Sequence, residues 1–332
     1  MYELLGISLV LASLLTINAL ASVAAAACWR FIEKPLQTRL ARTRAEILFA
    51  MRVGPPALAL ISIALFLVPS YVVYEPYDTE IVSKKLAALA ILSAIGVTLA
   101  LWRGVRSWFA TRSLLREWLS NAIQIKLGGI TIPTFRIANS FPIIAVVGTF
   151  KPRLFIAERV LETLSQEELM AAIAHEGGHL SAHDNFRRSL LRACCDVMIV
   201  PCGRSLDRAW AEAAECAADE HAAQQNAETA LNLASALVKI AKMVPVGARA
   251  AVPMAAFLVG IEETRGVKAR IRRLLEIASD GYRHGAPNPT IAYILPAMSL
   301  GFLLTLAVAV ASNPQVLVTV HSMIERAVEF LS

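Results

Sequence analysis

His175, Glu176 and His179 stand in the run "AIAHEGGHLSAHDN", residues 172–185. Residues four apart on a helix project from one face, a turn apart. The two imidazoles can therefore hold one Zn2+ at roughly 2.0–2.1 Å from each ligating nitrogen. Glu176 is rotated onto the neighbouring face, beside the metal's open position. A carboxylate there can take a proton from an attacking water and pass it to a leaving amine, which is the chemistry of peptide hydrolysis. HExxH is short enough to arise by accident, so its meaning rests on its surroundings.

A catalytic zinc normally takes three protein ligands and a water. His183 continues the histidine stripe, but on an unbroken helix it lies about 12 Å along the axis from His175, beyond the reach of one ion. It is expected as a helix-end or surface residue. The run "WAEAAECAADEHAA", residues 210–223, offers a better third ligand. Glu215 and Asp219 are four apart and face one partner helix, which Ala214, Ala217 and Ala218 allow to approach closely. Glu215 would bind the metal, and Asp219 would accept from the outer nitrogen of a ligand histidine and fix its tautomer. Glu212 and Glu220 are expected on a solvated acidic face. His221 is either a surface histidine or a proton donor to a tetrahedral intermediate. Gly177 and Gly178 cost a helix up to about 1 kcal/mol each relative to Ala; they read as room for backbone or substrate, or as merely tolerated.

The elements that must carry these residues are legible nearby. In "LSQEEL", Ser165 followed by Glu168 is a capping box, so a helix starts there and runs into His175. Before it, the β-rich runs Ile143–Val147 and Leu154–Ala157 are separated by Gly148 and Pro152, the punctuation of a hairpin or small sheet. An extended substrate is expected to pair along an exposed strand of that hairpin, because main-chain pairing accepts varied sequences.

Hydrophobic residues make up 56% of the 332 and charged ones 17%, against about 25% charged in soluble domains. Stretches without a charge, each long enough for a hydrocarbon core, cover Leu4–Trp29, Val53–Tyr74, Leu86–Trp102 and Pro289–Ser312. The small-residue run "ASVAAAA" resembles a signal-peptide cleavage site, but the chain starts "MYE" and stays apolar too long for that reading. Lys and Arg crowd the loop after the first stretch (Arg30, Lys34, Arg39, Arg42, Arg44, Arg52) and the segment after the third (Arg103, Arg106, Arg112, Arg116). The positive-inside tendency puts both in the cytosol, with the two termini outside. The organisation expected is a three-span region over 1–107, a cytosolic domain over 108–288, and a fourth span with a short outer tail over 289–332. The net charge of +6 then reflects topology and anchoring to anionic lipid, and no direct nucleic-acid binding is expected. Cys28, Cys194, Cys195, Cys202 and Cys216 form no paired framework and suit a reducing compartment; Cys194, Cys195 and Cys202 are expected as small buried hydrophobes.

Taken together, "GTFKPRLFIAERVLETLSQEELMAAIAHEGGHLSAHDNFRRSLLR", the ExxAD stretch "ECAAD" and the closing "VKARIRRLL" resemble the BlaR/MecR-type membrane zinc metallopeptidases, gluzincins related to the HtpX group. The resemblance runs from about Ser140 to Leu275 and extends to the order of spans, three before the catalytic segment and one after. It implies zinc on His175, His179 and Glu215, Glu176 as general base, Asp219 behind a ligand, and Asp184 anchoring the helix end. The β-lactam receptors of this group carry a large outer sensor after the last span; here about twenty residues follow Ser312, with no Ser-x-x-Lys motif.

The expectation is a polytopic α-helical membrane protein of four spans, with an α+β gluzincin domain between the third and fourth. It would bind one Zn2+ per chain and cut a protein or peptide substrate in regulatory, antirepressor-like proteolysis, the target being a cytosolic repressor or its own loop. Its place would be the bacterial-type inner membrane. The alternatives are an HtpX-like quality-control protease and a zinc-binding inactive receptor or scaffold.

Overall fold

The computed structural model describes residues 2–36, 40–75, 82–128, 130–139, 141–148, 151–197, 203–244, 264–280 and 289–331. It is mostly helical, and among these residues three helical rods are long and apolar enough to cross a membrane. The first is α1 (Tyr2–Leu36). The second joins α2 (Ala41–Ser62), a π-helical turn (Ile63–Leu67) and α3 (Val68–Tyr74). The third is α4 (Lys84–Ser120), whose buried Ala90, Ser93, Gly96 and Ala100 give it a face of small side chains. Small residues let helix backbones approach where lipid supplies no hydrophobic drive.

The boundary expected at 107/108 falls inside α4, which continues without a break into the globular body. There Trp118 is buried and meets the Phe155 ring edge-on at 5.1 Å. The stretch expected as a fourth span is α11 (Pro289–Ala311), and α12 (Pro314–Leu331) follows it. Gly301–Ala311 and α12 meet at an 80° bend, so among the described residues a fourth rod of sufficient length and apolarity is present if that bent pair is one span. The expected tail is itself a packed helix: Ile324, Val328 and Leu331 of α12 lie against Leu5, Leu9, Tyr71 and Leu86. The Ser70 hydroxyl donates to the Leu317 carbonyl at 2.9 Å.

The body opens with a four-stranded sheet of order β1-β2-β4-β3. Its strands are β1 (Ile123–Ile125), β2 (Thr134–Ile137), β3 (Ile144–Val147) and β4 (Arg153–Ala157). β2 and β4 are parallel; the other pairs are antiparallel, with Ile144 opposite Ile156 and Val147 opposite Arg153. The hairpin read from the sequence is β3–β4, and it turns at Gly148, whose φ is 108°. All four residues of β3 are buried, and so are four of the five in β4, which explains their near-continuous apolar runs.

Among the described residues six helices follow in the body: α5 (Glu158–Thr163), α6 (Gln166–Ser181), α7 (Asp184–Val197), α8 (Arg204–Ala223), α9 (Ala227–Met243) and α10 (Thr264–Asp280). Phe155, Ile156, Leu169, Ala172, Leu233, Leu237 and Leu274 share one core. The start of α6 is the capping box expected, with both reciprocal bonds formed. Glu168 also accepts from Ser235 and Lys239 of α9 at 2.7 Å each. Burial works to raise its carboxyl, and the bonds from Lys239 and Ser235 outweigh it and hold the group below its ordinary value. Cys194 is buried as expected; Cys202 and the side chain of Cys195 lie outside the described residues.

Candidate metal centre

Helix α6 carries His175, fully buried, and Glu176, nearly so. It does not continue through His183, as a simple extension of the stripe would require. The helix ends at Ser181, and His183 takes a left-handed φ of 55° before α7 begins at Asp184. This conformation is uncommon outside glycine and reverses the chain. The His183 carbonyl accepts from the amides of Phe186 and Arg187 at 3.0 and 3.1 Å, and its side chain is exposed. The reversal returns Asp184 toward the site, where its Oδ2 lies 2.7 Å from His179 Nδ1. Asp184 thus does more than anchor the helix end: it orients a candidate ligand.

Asp219 of α8 stands behind His175 in the same way, with Nδ1 and Oδ1 2.9 Å apart, though without the aligned hydrogen bond that Asp184 makes. With a carboxylate behind each Nδ1, both Nε2 atoms turn toward Glu215, at 3.7 Å for His175 and 3.5 Å for His179. One donor atom from each of His175, His179 and Glu215 fits within 4.8 Å of the others. Ligands held tetrahedrally by zinc stand roughly 3.3–3.6 Å apart, given its bond lengths. Among the described residues His175 Nε2 is buried with no hydrogen-bond partner. Glu215 Oε2, though 3.1 Å from Arg270 Nη1, accepts no aligned hydrogen bond. A buried histidine nitrogen and a carboxylate oxygen that lack hydrogen bonds, with the half-buried His179 Nε2 converging on them, are a donor set that fits zinc.

Two arginines surround this set. Arg188 Nη2 donates to Glu215 Oε1 at 3.0 Å. Arg270 of α10 grips Asp219 with Nε and Nη2, each 2.7 Å from a carboxylate oxygen. Burial alone would raise the Glu215 carboxyl; the charge on His179, then Arg270 and Arg188, holds it well below the usual carboxylate range. Burial likewise favours a neutral His179, but the Glu215 carboxylate and then the Asp184 bond push that ring up to about 10. Asp219 is held low against its burial chiefly by Arg270. "VKARIRRLL" was legible as a closing element, but the placing of Arg270 on the ligand cluster was not.

Residues 137–204 match the family model described as Peptidase family M48. No curated protein matches the chain. The matched stretch takes in β3, β4, α5, α6 and α7, and with them His175, Glu176, His179 and Asp184. It ends at Arg204, so Glu215 and Asp219 join the site through geometry alone. The match supports a metallopeptidase over these residues and does not separate BlaR/MecR-type from HtpX-type relatives.

The two glycines of HEGGH differ. A Cβ on Gly178 would stand 2.9 Å from Ala218 Cα and 3.2 Å from His221 Cβ, whereas a Cβ on Gly177 would meet nothing within 4 Å. Gly178 therefore lets α6 and α8 cross closely enough to bring Glu215 to the histidines. Gly178→Ala is expected to destabilise by about 1–3 kcal/mol through overpacking and to lower metal content. Gly177→Ala should be neutral or stabilising by up to about 1 kcal/mol. Thermal midpoints and metal content of the two variants check this, and equal behaviour would refute the crossing argument.

Two expectations are corrected. Glu220 is not on a solvated face: it is 3% exposed, accepts from the Ala41 amide at 3.2 Å, and pairs with Arg273. Its partners lie far along the chain, so spacing within α8 could not reveal them. Glu212 is exposed. His221 is half-buried beside Gly178, and burial, then Arg42 and His175, lowers its pKa. The second correction concerns β3. It is the edge of the sheet, but it is not exposed: the Val146 amide donates to Glu176 Oε2 at 3.0 Å, and the Val146 carbonyl accepts from Asn185 Nδ2 at 2.9 Å. A peptide pairing there must first displace both side chains.

Proposed function

We propose that this chain is a membrane-embedded zinc endopeptidase. The observation that carries the reading is the convergence of His175 Nε2, His179 Nε2 and the Glu215 carboxylate, with two of those residues inside the peptidase-family match. These three side chains would hold the metal, which when bound supplies a Lewis acid to polarise a peptide carbonyl. Asp184 accepts from His179 Nδ1 and Asp219 lies beside His175 Nδ1, so both rings present Nε2 to the metal, and Arg270 holds Asp219 in place. Glu176, one residue after His175, moves the proton from the attacking water to the leaving amine. Its bond to Val146 gives it a resting position on the strand where a substrate backbone would pair.

The reading includes regulatory proteolysis at an inner membrane, both termini outside and the body in the cytosol. The Lys/Arg asymmetry and the span order shared with BlaR/MecR-type peptidases support it. The chain purified in lipid nanodiscs should retain about one zinc per chain. Chelation should stop its cleavage of unfolded polypeptide, and added zinc should restore it. Cleavage indifferent to chelation, or a chain that never binds stoichiometric metal, would overturn the proposal.

A further inference from the structure

The place of the metal centre relative to the spans narrows its substrates. The charge-free run Val53–Tyr74 is long enough for a hydrocarbon core without surplus, so Arg52, just before it, marks the membrane boundary. Arg52 is 3% exposed, and its Nε lies 3.0 Å from Asp207 Oδ1 in the first turn of α8. Gly203, which precedes α8, makes the seat for that guanidinium: a Cβ there would stand 2.6 Å from Arg52 Nε. At the other end of the same pairing, the Ala41 amide donates to Glu220. The start of α2, from Ala41 to Arg52, and α8 therefore lie antiparallel, 41 beside 220 and 52 beside 207.

Between those ties Ala45, Leu48, Leu206, Ala209, Trp210 and Ala213 form one buried cluster. Trp29, the last residue of the first charge-free stretch, belongs to it as well. Glu215 is eight residues beyond Asp207, about 12 Å along α8 at 1.5 Å per residue. It is five residues beyond Trp210, about 7.5 Å by the same rise. The metal centre thus stands no more than about 12 Å along α8 from the membrane boundary. α4 holds the body to the same surface. Where it leaves its span, exposed Trp102 and Trp108 lie beneath the guanidinium groups of Arg106 and Arg112, at 5.3 and 5.2 Å from the ring centres, an arrangement suited to the headgroup layer.

We infer that the substrates are membrane-anchored polypeptides, cut in the few residues that adjoin a span. This rests on the peptidase reading above and adds a distance to it. An extended chain covers about 3.3 Å per residue, so about four residues reach from the boundary to the metal. A segment tethered by its own span is delivered to that height, whereas a free soluble protein must bring an unfolded stretch to the bilayer surface.

The test uses the full-length chain with zinc in proteoliposomes. Reporters carry one span, a Pro-rich spacer on the peptidase side and an unstructured casein segment. Spacers of about 3, 5, 10 and 20 residues set the height rigidly, at about 3.1 Å per residue. Cleavage is expected with the two shortest and should fall at least about ten-fold by the longest; the same segment without a span should be cut at least about ten-fold more slowly, as loss of effective concentration requires. Rates independent of spacer length, or equal cleavage of the soluble segment, would overturn the inference and leave the peptidase standing. If the zinc-loaded chain cuts none of the reporters, tethered or free, the peptidase reading fails and this inference with it.

Discussion

Glu176→Gln is expected to bind metal as the wild type does and to lose peptide cleavage by about 10²–10⁴-fold, the usual worth of a positioned acid–base group. The substitution is clean for a structural reason. Glu176 holds the Val146 amide at 3.0 Å through Oε2, and a glutamine carbonyl can accept the same bond, so the tie between α6 and β3 survives. The candidate ligands His175, His179 and Glu215 are untouched, and the amide differs from the carboxylate in size by almost nothing. What it lacks is basicity, because a neutral amide cannot take a proton from water near neutral pH. Metal content and turnover measured on one preparation decide the matter. Cleavage near the wild-type rate would show that Glu176 is not the base, while loss of metal together with activity would assign it a structural part.

What the sequence made legible was local. The capping box at Ser165 and Glu168, the pairing of His175 with His179 and that of Glu215 with Asp219 each depend on spacing within one helix, and helix geometry makes such spacing readable. His183 was legible as a helix-end or surface residue, but the left-handed torsion that reverses the chain there and turns Asp184 onto His179 was not. Glu220 and Arg270 were illegible for another reason. Arg270 lies 51 residues from Asp219, and Ala41 lies 179 from Glu220; such pairings exist only after α2, α8 and α10 have packed. The short strand β1 and the unbroken passage of α4 into the body also lay below local pattern, the first for want of length and the second because its polar turns look like a loop after a span. Charge on its own was ambiguous in the same way. Arg52 reads as one more cytosolic cation, yet it is buried against Asp207 and Gly203.

Glu215→Ala should lose the metal and, with it, all cleavage, because two histidines alone leave the ion loosely held and wrongly oriented. The geometry makes this the sharpest test of the site, since Glu215 is the ligand that the family match does not cover. It is also the acceptor for Arg188 and sits 3.1 Å from Arg270, so removing it adds positive charge beside the histidines and further disfavours a cation. Asp219 is expected to act one step back. Asp219→Asn keeps an acceptor for Arg270, which Asp219→Ala would leave buried with one carboxylate fewer, and it should cost roughly 10–100-fold in metal affinity or activity, as loss of a ligand's outer partner does. His183→Ala should leave metal content and turnover unchanged, because the side chain is exposed and its backbone supplies the turn; alanine at that positive φ costs on the order of 1–2 kcal/mol at most. Metal affinity by competition with a chromophoric chelator, measured beside turnover for the three variants, separates the roles. A His183→Ala chain without metal, or a Glu215→Ala chain that keeps it, would mean that α6 and α8 do not meet around one ion.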